Sequence, residues 1–270
     1  MKNKIIIPTD LTEAANHAIQ QAIVIAVKTG SSLTLLHVLD DKHGSAKDIT
    51  TTLQAEAEKI RQTSGLNCEN LIIEGNIFDV IPNVVCEKDY DLMVIGTHGI
   101  KGIRQMLFGA DILKLVAKIP LPVLVVQEES PFIVSFHKLV LPVSSHVTFQ
   151  SAVEAVLLFA GIYPIEVHLY SVHKPGFIWS DQLLKNIEEA TQQFEARGVK
   201  MIRVKEEQNV YSQGYAKQTL NYAHSVGADA IWMISIPSKE EYYQAQPYKE
   251  AVLLNEFYIP VLCTGGETCM

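Results

Sequence analysis

The chain has 270 residues, of which 48% are hydrophobic and 19% charged, and its formal net charge is −8. This composition excludes a disordered protein, and the acidic balance argues against an extended nucleic-acid or anionic-membrane surface, because both require clustered Lys and Arg. The first residues contain too few apolar side chains before Pro8 for a signal peptide, and no stretch approaches 18 uninterrupted apolar residues. We therefore expect a cytoplasmic protein without membrane insertion and without a nucleic-acid partner.

The first elements in chain order are an apolar strand, KIIIPTD at 4–10, a helix-period segment at 12–28 and a second strand, SLTLLHVLD. The same order restarts at 138–144 with KLVLPVS, followed again by a helix and a strand. Such self-similarity is the signature of a repeated unit.

The second part of each copy repeats as well. DLMVIG at 91–96 matches DAIWMI at 229–234, and LPVLVV matches IPVLCT. In both copies 31 positions separate the aspartate that opens the first of these segments from the proline of the second, so the two stretches align without a gap.

Continuous apolar strands that alternate with helices favour a parallel sheet covered on both faces and joined by right-handed crossovers. The fold class is therefore α/β, with two tandem doubly wound five-stranded parallel-sheet domains of Rossmann-like or flavodoxin-like order. We place these domains at 1–127 and 137–270, joined by a short connector. Pro82 falls inside the third helix of the first copy, where it should kink or delay the helix.

Two loops of the first copy emerge at the carboxyl ends of strands, where such sheets bind ligands. One is Pro8-Thr9-Asp10, and the other is the glycine-containing stretch GTHGIKGIRQMLFGAD at 96–111. Gly109 precedes a helical run, DILKLVAKI, whose first backbone N–H groups are free to face an anion. The alternative is that these glycines only serve turns.

The spacing Gly96-x2-Gly99-x9-Gly109 resembles the G-x2-G-x9-G-[ST] signature of the nucleotide-binding branch of the universal stress protein family. The opening PTD, the LLHV of the second strand, the DLMVIGTHG entry and the PVLVV strand resemble the same family. The resemblance covers nearly all of the first copy, whereas the second copy matches in element order but not in motif. It implies a five-stranded domain, commonly dimeric or tandem, that binds ATP in some members and nothing detectable in others.

The resemblance also assigns the site residues. It implies that Asp10 meets the adenosine portion, that Val38 lines the adenine pocket, and that four loop residues surround ribose and phosphates. Those four are Gly96, Gly99, Gly109 and Ala110, and the candidate set is completed by Pro8, Thr9, Ile95, Arg104 and Asp111.

Two residues depart from a simple phosphate site. Ala110 stands where the family has Ser or Thr, so one hydroxyl donor worth about 0.5–1.5 kcal/mol is missing. A carboxylate at Asp111 about 4 Å from a phosphate would cost on the order of 4 kcal/mol at an effective dielectric of 20. Either Mg²⁺ lies between them, or Asp111 caps its own helix. Asp10 has a similar alternative, since DLTE is typical of a helix start at which Asp10 or Thr12 is the cap.

The remaining polar residues predict no further site. The four cysteines, Cys68, Cys86, Cys263 and Cys269, form no zinc pattern and are expected to be reduced thiols. His37, His43 and His98 are not brought together by spacing, and we expect them to be partly exposed strand-end or loop residues. The sequence does not identify which residues would bind a metal ion.

The second copy has lost the loop. The gapless alignment places Ile234, Pro237 and Pro247 at the positions of the three loop glycines, and Ser144 at that of Asp10. Proline has no N–H and cannot take positive φ, so this copy should not bind a nucleotide in the same way. It has gained aromatic residues instead, which favour core packing, a dimer surface or an apolar ligand site. Those in loops or at helix starts are Phe177, Trp179, Tyr211, Tyr215, Tyr242, Tyr243 and Tyr248.

The leading hypothesis is a homodimeric stress-response protein that binds ATP or another adenine nucleotide weakly in its first copy and is not an enzyme beyond slow ATP hydrolysis. The alternative is a nucleotide-free dimeric scaffold that binds a protein partner or an apolar small molecule through its aromatic-rich second copy. An adenylating enzyme is a third hypothesis, but its Ser-Gly-Gly loop is absent after the first strand.

Overall fold

The computed structural model describes residues 3–39, 46–97, 109–172, 178–205, 214–236 and 246–265. Within these ranges strands and helices alternate twice in the order that the sequence predicts. The strands are β1 (Lys4–Pro8), β2 (Ser32–Leu39), β3 (Cys68–Glu74), β4 (Leu92–Thr97), β5 (Val123–Gln127), β6 (Lys138–Pro142), β7 (Glu166–Ser171), β8 (Lys200–Lys205), β9 (Ala230–Ile234) and β10 (Val261–Thr264). The helices are α1 (Glu13–Thr29), α2 (Ala46–Ser64), α3 (Ile77–Glu87), α4 (Gly109–Val116), α5 (Phe149–Ala160), α6 (Asp181–Ala196), α7 (Tyr215–Ser225) and α8 (Gln246–Leu253).

The strands form one ten-stranded sheet in the order β3-β2-β1-β4-β5-β10-β9-β6-β7-β8. All neighbours within each half are parallel, which confirms the predicted pair of doubly wound five-stranded arrangements. The halves meet where β5 and β10 pair antiparallel, with Leu124 opposite Leu262. This junction was not predicted from the sequence, because strand patterns do not state which edge strands will pair. The limits 1–127 and 137–270 remain predictions, since the halves share one sheet.

Helices cover both faces of the sheet. On one face α1, α2, α5 and α6 contribute to a buried cluster that includes Ile19 and Phe194. On the other face α3, α4, α7 and α8 contribute to a second cluster that includes Val84 and Val252. Each cluster contains residues from both halves, so the core is continuous across the junction. No helix in the described part of the chain combines the length and the apolar character that a membrane span requires.

Each half uses one aspartate to connect the start of its fourth strand to the start of its first. The N–H of Lys4 donates to Asp91 Oδ2 (3.4 Å), and the N–H of Asp91 donates to the Lys4 carbonyl (2.9 Å). In the second half the N–H groups of His137 and Lys138 donate to Asp229 Oδ2 (2.8 and 2.7 Å), and Asp229 returns an N–H to the Lys138 carbonyl (2.9 Å). The aligned aspartates therefore have the same structural role.

Pro82 lies inside α3, which continues from Ile77 to Glu87. The expectation that the proline delays the helix is therefore wrong. Because proline has no N–H, the carbonyl four residues earlier, that of Phe78, loses its helical donor. Lys118 Nζ donates to that carbonyl instead (3.0 Å). A side chain from the segment after α4 thus supplies the hydrogen bond that the helix lacks.

Buried amide side chains close the junction between the halves. Gln127, at the end of β5, donates from Nε2 to the carbonyl of Asn255 (2.9 Å). Asn255 in turn donates from Nδ2 to the carbonyls of Val252 and Ile259 and accepts from the N–H of Ile259, each at 2.9 Å. Asn255 therefore fixes the connection between α8 and β10 beside the last residue of β5.

The connector between the halves is attached to α1 through Gln21. This side chain is fully buried; its Nε2 donates to the carbonyl of Ile133 (3.0 Å), and its Oε1 accepts from the N–H of Ile133 (2.7 Å). Beside it, Phe132 stacks on His17 with ring centroids 4.4 Å apart. Phe136 then enters the aromatic core of the second half. The connector is therefore an ordered part of the core.

The cysteines only partly follow expectation. Cys68 and Cys263 are buried thiols, and burial raises the pKa of Cys68 to about 11 and also raises the pKa of Cys263. Neither is a reactive thiolate near neutral pH. Cys86 is disulfide-bonded, so the expectation of four reduced thiols is wrong for this residue. Cys269 lies outside the described residues.

Replacing Gln21 by Leu should destabilise the protein, because the change leaves the N–H and carbonyl of Ile133 buried without partners. Each such group costs about 1–3 kcal/mol, so we expect urea denaturation to show a loss of roughly 2–4 kcal/mol in the free energy of unfolding. Gln20→Leu, at an exposed position of the same helix, is the matched control and should change it by less than about 0.5 kcal/mol. Equal stability of the two variants would contradict the proposed role of Gln21.

Candidate functional site

A cleft opens beyond the carboxyl ends of β1, β2 and β4. Strand order reverses between β1 and β4, and doubly wound sheets bind ligands at such a switch point. The empty volume of the cleft, including open solvent at its mouth, is about 620 Å³. The described residues that line it are Pro8, Thr9, Asp10, Thr12, Ala15, Leu36, His37, Val38, Ile77, Ile81, Ile95, Gly96 and Thr97.

The structure brings together the predicted site residues of the strand ends. The predicted residues that line the cleft are Pro8, Thr9, Asp10, Val38, Ile95 and Gly96. Gly99 and Arg104 lie outside the described residues, and Gly109 and Ala110 are described only as the backbone of a helix. The glycine-loop part of the predicted site therefore stays a prediction.

The helix after the glycine loop begins earlier than the sequence predicted. Gly109, Ala110 and Asp111 are the first three residues of α4, whereas the predicted helical run began at Asp111. Asp111 consequently lies inside the first turn and does not occupy the N-cap position that the capping alternative requires. It is also absent from the described residues that line the cleft.

Asp10 orders the turn between β1 and α1. Its Oδ1 accepts from the N–H of Thr12 (3.1 Å) and from the Thr12 hydroxyl (2.6 Å), and Thr12 Oγ1 accepts from the N–H of Ala15 (3.3 Å). Thr12 is thus the N-cap of α1, and Asp10 orients that cap. Between them Leu11 takes a positive φ of 66°, an unfavourable backbone region for a leucine that often marks ligand sites.

His37 holds the same turn from β2. Its Nδ1 lies 2.8 Å from the carbonyl of Thr9, and since a carbonyl only accepts, Nδ1 carries the hydrogen. In the neutral ring Nε2 is then an acceptor. The side chain is only 6% exposed, so the expectation of a partly exposed His37 is wrong. His43 and His98 lie outside the described residues.

The cleft combines apolar walls with one unpaired hydroxyl. Ile77 and Ile81 line it from α3 and were not predicted as site residues, although their i, i+4 spacing places both on one face of the helix. Thr97, the last residue of β4, is 2% exposed, and its Oγ1 has no hydrogen-bond partner among the described residues. Buried hydroxyl groups normally have partners, so Thr97 contributes an unsatisfied polar group to the wall of the cleft.

Gly96 has a packing role that the sequence did not reveal. A Cβ at this position would lie 2.1 Å from the carbonyl oxygen of Ala14 and 2.9 Å from the backbone nitrogen of Ala15. The first turn of α1 therefore rests directly on β4, and only glycine permits that approach. This contact positions α1 at the rim of the cleft, so Gly96 shapes the site whether or not it touches a ligand.

The second half has a smaller cleft at the equivalent place, with an empty volume of about 370 Å³, and aromatic side chains narrow it. Tyr215 and Tyr248 pack edge to face with ring centroids 4.5 Å apart. Lys249 is buried, and its Nζ donates to the carbonyl of Ile236. The lining residues are Pro142, Ser144, His146, Tyr215, Met233, Ile234, Tyr248 and Lys249. Pro247 lies in the first turn of α8 as predicted, whereas Pro237 lies outside the described residues.

Other aromatic residues of the second half serve the core. Trp232 is fully buried, with its ring edge-on to Phe159, and Tyr170 stacks on Tyr222 with ring centroids 4.6 Å apart. Four of the candidate aromatics, Phe177, Tyr211, Tyr242 and Tyr243, lie outside the described residues. Trp232 and Tyr170 therefore follow the core-packing interpretation of the aromatic residues.

One titratable cluster lies at the opposite ends of the second-half strands. Glu166 accepts from Lys200 Nζ and lies 2.9 Å from His168 Nε2, while His168 Nδ1 lies 2.6 Å from the Tyr222 hydroxyl. The hydrogen bonds from Lys200 and then from His168 lower the pKa of Glu166 to about 2. The described residues include no group of three or more His, Cys, Asp or Glu side chains placed to hold a metal ion.

The first half is similar in sequence to universal stress proteins, and the whole chain is similar in fold to one of known structure. Residues 1–127 match the model of the universal stress protein family. A universal stress protein of Methanocaldococcus jannaschii is 22% identical over 158 residues, which span 48% of this chain and 98% of that protein. The crystal structure of a universal stress protein of Archaeoglobus fulgidus is 17% identical, with a TM-score of 0.73 over 99% of this chain and 100% of its own. A universal stress protein in complex with cAMP is 19% identical over 47% of this chain and 98% of its own, with a TM-score of 0.40.

Substituting Gly96 by Ala should destabilise the protein without any ligand present. The added methyl group would overlap the backbone of Ala14, and overpacking typically costs about 1–3 kcal/mol and occasionally more. We expect a loss of at least about 2 kcal/mol in the free energy of unfolding, measured by urea denaturation. Gly161→Ala, where the added Cβ would lie 3.3 Å from the Leu158 carbonyl oxygen, is the control and should cost less than about 1 kcal/mol. A Gly96→Ala protein as stable as wild type would show that α1 does not require this contact.

Proposed function

We propose, from the match of residues 1–127 to the model of the universal stress protein family, that this half binds an adenine nucleotide in the cleft beyond β1, β2 and β4. The observation that carries the proposal is the open cleft, with apolar walls and the unpaired hydroxyl of Thr97. Binding serves a regulatory, stress-response role in a cytoplasmic homodimer.

The walls suit a purine and its sugar. Leu36, Val38 and Ile95 at the strand ends, with Ile77 and Ile81 from α3, provide the apolar surface on which a flat base packs. Asp10 and Thr97 lie at the same end of the strands and supply polar groups for ribose or base. Asp10 is exposed, so its carboxylate can meet a ligand while Oδ1 keeps its hydrogen bonds to Thr12.

The start of α4 supplies the anion-binding element. Its first residue is Gly109, and the first N–H groups of a helix have no partner within the helix. Ala110 retains its N–H and lacks the hydroxyl, so binding should be weaker than in a site with Ser or Thr by about 0.5–1.5 kcal/mol. Weak binding is therefore part of the proposal.

We expect binding without efficient turnover. Among the described residues of the cleft, His37 is the one imidazole, and its Nδ1 hydrogen is used on the Thr9 carbonyl. Its role there is structural, and no hydroxyl or thiol nucleophile is hydrogen-bonded to it in the described part of the chain. ATP hydrolysis, where it occurs, should be slow.

ATP should bind the wild-type protein at one site per chain, and Gly109→Pro should weaken it at least about tenfold. Proline removes a backbone N–H at the helix start and restricts the loop before it. Isothermal titration measures both, after mass spectrometry of small molecules released from the purified protein. Pro247→Gly, which restores glycine at the equivalent position of the second half, is the control and should change neither affinity nor stoichiometry. If no adenine compound is released and no saturable signal appears, the nucleotide-free scaffold is the better account.

Asp111→Asn should tighten ATP binding about tenfold in the absence of Mg²⁺, because it removes a carboxylate near the polyphosphate. The gain should shrink when Mg²⁺ is present, since the cation then screens the phosphates. Asp181→Asn, at the exposed first turn of α6, is the matched control and should have no effect. Weaker binding of ATP by Asp111→Asn only when Mg²⁺ is present would instead identify Asp111 as a metal ligand.

A further inference from the structure

Each half has an equivalent backbone carbonyl that accepts a hydrogen bond from a side chain, and the donor comes from a different side of the cleft in each half. This carbonyl belongs to the residue that follows the first strand of each half, Thr9 after β1 and Val143 after β6. The two residues are equivalent because the N–H of Thr9 donates to the carbonyl of Leu36 (2.8 Å) and the N–H of Val143 donates to that of Tyr170 (2.8 Å), the partner of the strand's last proline in each case.

In the first half the donor comes from the neighbouring strand. His37 Nδ1 lies 2.8 Å from the Thr9 carbonyl, and the ring is buried beside β1. The position across the cleft, at the first residue of α3, is held by Ile77, which has no hydrogen-bonding group. The carbonyl is therefore satisfied, and the cleft stays open in front of it.

In the second half the donor comes from across the cleft. The Tyr215 hydroxyl donates to the Val143 carbonyl (2.7 Å), and its ring packs against Tyr248. The residue that replaces His37 in register is Ser171, which directly follows Tyr170 in β7. A serine is too short to replace the imidazole, so the carbonyl depends on Tyr215.

Tyr215 and Ile77 are equivalent residues. Each is the first residue of an 11-residue helix, α7 or α3, and each lines the cleft of its own half. The gapless alignment of the later strands continues back to this pair. The exchange of His37 and Ile77 for Ser171 and Tyr215 is thus a coupled change at two positions.

We infer that the donor to this carbonyl determines how much room the cleft of a half leaves for a ligand. His37 is a positioning residue that leaves the first cleft wide, at about 620 Å³, and Tyr215 narrows the second to about 370 Å³. The inference rests on the proposed nucleotide site for its binding readout, but its stability readout does not depend on any ligand.

The test transfers the second-half pair into the first half of the full chain. His37→Ser should lower the melting temperature by several degrees, because the Thr9 carbonyl loses its buried donor. Adding Ile77→Tyr should recover at least half of that loss, since the new hydroxyl reaches the carbonyl as Tyr215 does. The His37→Ser/Ile77→Phe variant carries the same ring without the hydroxyl and should not recover it.

Titration with ATP supplies the second readout. Both Ile77→Tyr and the His37→Ser/Ile77→Tyr double variant should lose at least about a hundredfold in affinity because the ring fills the cleft, whereas His37→Ser alone should lose less. A double variant no more stable than His37→Ser, or one that binds ATP like wild type, would overturn the inference. If wild-type protein binds no ATP, the proposed function fails, and the melting temperatures still decide whether the carbonyl accepts either donor.

Discussion

The antiparallel pairing of β5 with β10 is the contact on which the rest of the structure depends. Val123, Leu124 and Val125 are buried on both faces of the sheet, and so are Leu262 and Cys263 opposite them. A half on its own would expose this apolar strand at a sheet edge with unpaired N–H and carbonyl groups. The pairing removes both edges at once, and the buried amides of Gln127 and Asn255 extend it beyond the last paired residue.

The same pairing fixes where the two clefts lie. All strands within one half are parallel, and the strands of the two halves run in opposite directions. The carboxyl ends of the strands in one half therefore lie on the opposite side of the ten-stranded sheet, along the strand direction, from those of the other half. A ligand in the first cleft therefore cannot touch the second. Any effect of one half on the other must pass through the shared core or through the connector that Gln21 holds.

The features that could be predicted from the sequence are those encoded within short or repeated segments. The two copies, their element order and the strand-end residues Pro8, Thr9, Asp10 and Val38 all follow from patterns within short segments, and the structure brings those residues to one cleft. Contacts between segments that are distant in the chain could not be predicted in this way. Strand periodicity does not state which strand an edge will pair with, so the β5–β10 junction was missed.

Single residues illustrate the same limit. The role of Gly96 against Ala14 depends on how closely α1 approaches β4, and no spacing within the glycine loop contains that distance. The burial of His37 depends on its partner, the Thr9 carbonyl, which lies 28 positions away in the chain. Pro82 was predicted to kink or delay α3, because the donor that replaces its missing N–H, Lys118, lies 36 positions later in the chain.

The comparison of the halves separates the requirements of the fold from those of the cleft. Asp229 keeps the hydrogen bonds that Asp91 makes, because they hold the sheet together in either half. At the position of Asp111 the second half has Lys249, a cation that by charge alone would favour an anion. Yet Lys249 is buried and its ammonium group donates to the Ile236 carbonyl, at the wall of a cleft that Tyr215 and Tyr248 narrow. A positive charge at this position is therefore not sufficient for an anion site. The site also requires room for the anion and hydrogen-bond donors that are not already engaged within the protein.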